Sequence, residues 1–145
     1  MAEGPFQQSE LYKLHAVVIA LDRIAQQLLE PLGITYTEFL VMLSASESND
    51  RTQSEIGQQM ALGKASISLK VKALLEKGLV IQKQNPRNRR ENFLLLTDSG
   101  KDKLAAAVKT LSETAEPAFQ ALGRERQPFH AGLETLMTIR YEVDV

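Results

Sequence analysis

The chain has no cysteine, no tryptophan and only two histidines, and aromatic residues make up 6% of it. Without a thiol there can be no disulfide, cysteine nucleophile, thiolate peroxide sensor or Cys-based zinc site. His15 and His130 lie 115 residues apart, so no local histidine pair is available to hold a metal. No H-E-x-x-H, P-loop or G-x-G-x-x-G motif occurs. With no nucleophile–base or metal constellation, neither an enzyme nor a cofactor is expected. No run approaches the ~20 apolar residues of a membrane span. The opening stretch MAEGPFQQSE has neither a basic nor an apolar signal region. No membrane association is therefore expected, and the cytoplasm is the default compartment. The 145 residues, 43% hydrophobic and 24% charged, suit one ordinary globular domain with a core of useful size.

The chain also lacks an overall charge excess, being −1, yet its cations are unevenly spread. Residues 63–90 read GKASISLKVKALLEKGLVIQKQNPRNRR. They hold Lys64, Lys70, Lys72, Lys77, Lys83, Arg87, Arg89 and Arg90 against the single acid Glu76, a local charge of +7. The remaining 117 residues then carry −8. One surface lysine needs no explanation beyond solvation. Eight cations against one acid, on a helix followed by a hairpin, match what a double-stranded DNA backbone demands. Lys77 stands apart, because a cation is favoured at a helix C-terminus in any case.

The periodicity gives an order of elements. Leu11, Leu14, Val18, Leu21, Ala25, Leu28 and Leu32 are spaced alternately by three and four, which predicts a long helix from about Ser9 to Leu32. Ser9 is its expected N-cap, with Pro31 and Gly33 closing it. A monomer's core helix could carry this stripe. Its length exceeds what a small core covers, and that favours a dimerisation helix.

Two capping boxes come next in the chain, Thr35-Tyr36-Thr37-Glu38 and Thr52-Gln53-Ser54-Glu55. They predict helices of ~10 residues, with Ser44–Asp50 as the turn between them. A further helix is expected from Lys64 to Lys77, with Ile67, Val71, Leu74 and Leu75 inward and Gly78 at its end. Together these form a helix-turn-helix unit. Leu79–Gln84 and Asn92–Leu96 read as strands flanking a tip, Asn85–Arg90. Thr97 should cap a helix carrying Leu104, Val108, Leu111 and Ala115, which Pro117 should kink or interrupt. A last helix would carry Phe129, Leu133, Leu136 and Tyr141.

In this order the chain resembles the MarR family of winged helix-turn-helix regulators. The likeness is carried by Gly33-Ile34-Thr35 with Glu38-Phe39, by Leu74-Leu75-Glu76-Lys77-Gly78-Leu79-Val80, and by Asn88-Arg89-Arg90 with Leu96-Thr97 and Gly100. It is strongest over residues 33–104. Asn88 stands where the family commonly has Asp, and Leu69 where it often has Arg. The fold expected is mainly α with a small β-hairpin wing. Residues 1–145 would form a single MarR-like domain, with 34–100 as the winged helix-turn-helix lobe and 8–32 and 101–145 as helical dimerisation segments.

A helical wheel turns Ala65, Ser66, Leu69, Lys72 and Ala73 outward, with Ser68 and Lys70 on the flanks. Small residues there let a helix sit deep in a major groove, and an outward Leu69 suits thymine methyls. Lys64, Lys70 and Lys72 would reach phosphates or guanine edges, and Ser66 and Ser68 could donate to either. The resemblance implies that the wing tip lies along the minor groove, with Arg90 inserted beside Arg87, Asn88 and Arg89. It also implies a homodimer held through Leu11, Leu14, Val18, Leu21, Phe129, Leu133 and Leu136. A small phenolic or anionic ligand is implied as well, with His15, Tyr36 and Phe39 as candidate pocket residues, although Phe39 in a core and a partly buried His15 would be ordinary. The function expected is a sequence-specific, ligand-released repressor on a near-palindromic operator. The competing expectation is a winged-helix interaction module whose basic patch meets an acidic protein.

Overall fold

The computed structural model describes residues 5–139, so Tyr141 of the expected last helix lies outside the described residues. The chain forms two compact units, one ending at Lys109 and the other beginning at Thr110.

The first unit opens with helix α1, Glu10–Leu29, which Ser9 caps by accepting from the Tyr12 amide at 3.2 Å. A single 3-10 turn, Glu30–Leu32, and a left-handed Gly33 close it. Only the C-terminal end of α1 is in the core, through Ala25 and Leu29. Leu11, Leu14, Val18 and Leu21 are 65, 44, 44 and 49% exposed, so most of the predicted seam lies outside the core of the first unit.

Helix α2, Tyr36–Ser46, begins with a complete capping box between Thr35 and Glu38. It runs past the expected turn at Ser44. Ser44 is buried, and its hydroxyl donates to Gln59 Oε1 at 2.6 Å, a bond to a residue fifteen positions away that local polarity does not reveal. Helix α3, Gln53–Gln59, is shorter than predicted because Ala61 adopts φ 54°, and the Leu62 amide then bonds back to the Gly57 carbonyl at 2.8 Å. Of its expected capping box, the Thr52 half forms, accepting from the Glu55 amide at 3.1 Å. Thr52 also makes an antiparallel bridge to Phe93.

Helix α4, Lys64–Glu76, buries Ile67, Val71 and Leu74. Leu75, expected inward, is 37% exposed, since it lies one position past the buried Leu74 on the turning helix. The helix ends in a Schellman motif: the Leu79 amide donates to the Leu74 carbonyl and the Gly78 amide to the Leu75 carbonyl, each at 3.0 Å. Gly78 sits at φ 71°, a conformation a side chain would strain.

Strands β1, Val80–Asn85, and β2, Asn88–Leu96, pair antiparallel from Val80↔Leu96 to Gln84↔Asn92. The register then slips, so that Asn85 faces Asn88. Asn88–Glu91 therefore belong to β2, and only Pro86 and Arg87 remain as the turn.

Helix α5, Asp98–Ala121, starts on Thr97, whose hydroxyl accepts from the Gly100 amide at 2.9 Å and donates to the Gly78 carbonyl at 2.7 Å. Pro117 does not interrupt α5. Proline removes one amide donor, and the carbonyl that loses it belongs to exposed Glu113, where water can replace the bond.

Glu38 is the one buried charged residue among those described, at 3% exposure. Its carboxylate accepts from the Thr35 amide at 3.2 Å and from Lys77 Nζ at 2.7 and 3.0 Å. The pair ties the start of α2 to the end of α4. In the second unit, Arg126 forks onto Glu116 at 2.8 and 3.0 Å. Helix α6, Arg126–Thr138, buries none of its residues there.

Among the described residues no single helix is long and apolar enough to cross a membrane. Among the described glycines the tightest surroundings are those of Gly100, where a Cβ would stand 2.0 Å from the Leu79 carbonyl oxygen. That oxygen already accepts from the Thr97 amide at 3.1 Å, and backbone cannot yield as a side-chain tip can. Gly100→Ala should therefore cost about 1–3 kcal/mol of stability, seen as a lowered thermal midpoint. An unchanged midpoint would mean that α5 can move away from β1 freely.

Candidate nucleic-acid interface

Each helix that Ser or Thr introduces has that hydroxyl on its N-terminal amides: Ser9 for α1, Thr35 for α2, Thr52 for α3 and Thr97 for α5. Helix α4 differs. Its cap is Gly63, which has no side-chain acceptor, and its first turn holds no acid. The first-turn amides of α4 are left for an external acceptor, with Lys64 exposed beside them.

The outward face of α4 is the one the wheel predicts. Lys64, Ala65, Ser66, Ser68, Leu69 and Lys72 are exposed, and Lys70 and Ala73 are half-buried. Leu69 is 67% exposed, a large apolar side chain among lysines and serines. In the hairpin, Lys83, Arg87, Asn88, Arg89 and Arg90 are all exposed. The tip is shaped by its own amides. Asn85 Oδ1 accepts from the Arg87 amide at 3.0 Å, Asn88 Oδ1 from the Arg90 amide at 3.1 Å, and Gln84 Nε2 donates to the Arg89 carbonyl at 3.0 Å. Asn88 thus holds the turn through the backbone and leaves the Arg90 guanidinium without a carboxylate partner.

Seven of the eight cations in residues 63–90 make no ion pair among the described residues. The eighth, Lys77, is engaged by buried Glu38 and so belongs to the fold and not to the patch. A set of close, unpaired cations raises the local potential and attracts a polyanion, since nothing nearby neutralises it.

Sequence reasoning missed two polar residues behind this surface. Gln53, at the start of α3, donates through Nε2 to Ser68 Oγ at 3.3 Å and accepts from Gln82 Nε2 at 2.9 Å. The contacts are 15 and 29 residues long in sequence, and a lone glutamine gives no signal of them. The wing root is fixed beside them, the Leu94 amide donating to the Arg51 carbonyl at 3.1 Å.

Two of the three candidate pocket residues, Tyr36 and Phe39, are in contact. His15 is exposed on α1, and Phe39 is in the core. Tyr36 stacks on Phe39 with ring centroids 6.0 Å apart. Burial, then the Asp22 carboxylate, push the Tyr36 phenol above its ordinary range. An open recess in this unit, of about 390 Å³, is lined by Gln26, Gln27, Glu30, Gly33, Ile34, Thr35 and Lys77.

A family model described as MarR family matches residues 34–92. Among curated relatives, the organic hydroperoxide resistance transcriptional regulator of Bacillus subtilis (strain 168) is 24% identical over 128 residues, 86% of this chain and 87% of the relative. Among solved structures, the transcriptional repressor CouR bound to a 23-mer DNA duplex is similar with a TM-score of 0.81 at 23% identity, over 96% of this chain and 99% of that one. CouR from Rhodococcus jostii RHA1 bound to p-coumaroyl-CoA gives 0.84 at 20% identity, over 99% of each chain. The matched segment starts just before α2 and ends within β2, covering the helix-turn-helix and most of the hairpin that carry the free cations. The segment that carries the helix-turn-helix and most of the hairpin thus matches the MarR family of transcriptional regulators, whose members are not enzymes.

Proposed function

We propose that this chain is a homodimeric repressor that binds a near-palindromic DNA operator and is released by a small-molecule ligand. The observation that carries the reading is the set of seven cations on α4 and the hairpin that make no ion pair among the described residues, in a chain whose remainder is acidic. Residues 34–100 would form the DNA-binding lobe, with 8–32 and 101–145 as the dimer scaffold. A chromosomal target makes the cytoplasm its working compartment.

In this reading α4 enters the major groove. Lys64, Lys70 and Lys72 meet phosphates or guanine edges, Ala65 permits close approach, and Ser66 and Ser68 donate to the duplex. Arg90 enters the minor groove, flanked by Arg87, Asn88 and Arg89, where a narrow A-tract gives the most negative potential.

One lobe reads one half-site. A two-fold pair sets recognition helices about 34 Å apart and reads an inverted repeat. The exposed apolar seam of α1 supports the pairing, as do Phe129, Leu133 and Leu136 on α6, 43, 36 and 41% exposed. Apolar stripes of this extent mark surfaces that another chain covers.

Ligand release is supported by the two CouR structures, one with DNA and one with p-coumaroyl-CoA. A small phenolic or anionic ligand would act by binding the DNA-incompetent dimer more tightly. His15, Tyr36 and Phe39 remain the proposed contacts. The absence of cysteine rules out thiol oxidation as the trigger.

Binding measured against salt on a duplex tests the reading. Arg90→Ala should make the log–log salt slope shallower by about one. Lys77→Ala should leave the slope unchanged and instead lower stability by about 1–3 kcal/mol, because Glu38 loses its counter-ion in the core. Equal slope losses for both would contradict the separation of Lys77 from the patch. Leu69→Ala should change preference at one base pair per half-site by about five- to tenfold without altering the slope. Uniform weakening across sequences would remove Leu69 from base contact.

A further inference from the structure

We propose that Gln53 is a positioning residue that ties the wing to the recognition helix and commits the Ser68 hydroxyl to donating toward DNA; this rests on the DNA-binding reading above. Gln53 is half-buried at the first position of α3, between the two elements that carry the free cations. Its amide nitrogen donates to Ser68 Oγ on α4 at 3.3 Å, and its carbonyl oxygen accepts from Gln82 Nε2 on β1 at 2.9 Å. The three side chains form one chain of hydrogen bonds with a single direction, Gln82 to Gln53 to Ser68.

Direction matters because each group has a fixed inventory of donors and acceptors. Once Ser68 Oγ accepts from Gln53, its own proton is free to point outward. Ser68 is exposed on the outward face of α4, so it would present a donor to the duplex. That suits phosphate oxygens, guanine O6 and N7, adenine N7 and thymine O4. Chains of this kind polarise one another, so removing the middle member affects both ends.

The same residue sets the spacing of α4 and the hairpin. Next to Gln53, Thr52 bridges Phe93 and the Arg51 carbonyl takes the Leu94 amide, so the α3 start is joined to β2 of the wing. Those backbone contacts anchor the wing root at β2. The Gln53–Gln82 bond is the side-chain contact that reaches β1, on the strand leading to the arginine-rich tip. A wing that tilts away from α4 cannot place its arginines in the groove next to the one α4 occupies.

The test uses the full chain and a labelled duplex enriched by the wild-type protein from a random pool, with affinity measured over a range of salt. Gln53 carries no charge, so its direct contact with DNA releases no counterion and cannot change the slope. Gln53→Ala should weaken binding about three- to tenfold and make the slope shallower by about one, through withdrawal of wing cations. Gln82→Ala should lower the slope similarly, and the Gln53→Ala/Gln82→Ala double variant should be no worse than Gln53→Ala alone. Ser68→Ala should weaken binding with the slope intact. Thermal melts would confirm that each variant is folded. Loss of affinity in Gln53→Ala with an unchanged slope would assign Gln53 to direct contact and overturn the positioning role, as would wild-type binding. If the wild-type chain shows no salt-dependent duplex binding, the DNA reading fails and this proposal falls with it.

Discussion

A carboxylate in a protein core must be paired, and Glu38 meets that requirement with the Thr35 amide on one side and Lys77 on the other. The pair fixes where α4 ends, and the hairpin and α5 both depend on that point. Directly after Lys77, Gly78 turns left-handed and closes the Schellman motif. Its carbonyl takes the Thr97 hydroxyl, which caps α5, and the next carbonyl, from Leu79, lies against Gly100. One buried charge is thus linked, through successive local bonds, to the root of the hairpin and the start of the next helix. The hairpin can project its tip because its root is held this tightly.

The same pair divides the basic segment into two kinds of charge. Lys77 serves the fold, and the other seven cations make no ion pair among the described residues. Elsewhere the described ion pairs are local or confined to one unit, as with Arg51–Glu47 and Arg126–Glu116. An unpaired cation gains little stability for the protein itself. A cluster of them is a standing electrostatic field that only a polyanion relieves, and the geometry sorts that field into a helix face with small side chains and a ribbon with arginines. Shape and charge therefore favour the same partner. The α1 seam obeys a parallel logic with apolar surface, which no element of the first unit covers.

Where short-range chemistry decides, the sequence was readable. Ser9, Thr35, Thr52 and Thr97 cap helices as their positions promise, Gly78 ends α4, and the buried stripe Ile67, Val71 and Leu74 has the predicted period. The outward face of α4, Leu69 included, also follows from that period. Long-range contacts were not readable. Ser44 looks like a turn residue until Gln59 and Arg51 satisfy it inside a helix. The strand beginning at Asn88 depends on a register slip that turn-forming residues conceal. Pro117 is tolerated because its surroundings are wet, a property of tertiary placement. Glu38–Lys77 spans 39 residues and Gln53–Gln82 spans 29, and neither pair carries a local signature.

If the free cations of α4 and the wing belong to a two-fold reader of DNA sequence, the duplexes the protein prefers must carry that symmetry. The most direct measurement is selection from a random duplex pool with the purified protein at near-physiological salt. Enrichment of an inverted repeat with half-sites about one helical turn apart is the expected result. Recovery of duplexes with no shared motif, or stronger retention of an acidic protein than of any duplex, would contradict it and favour a winged helix that uses its basic face to hold a protein.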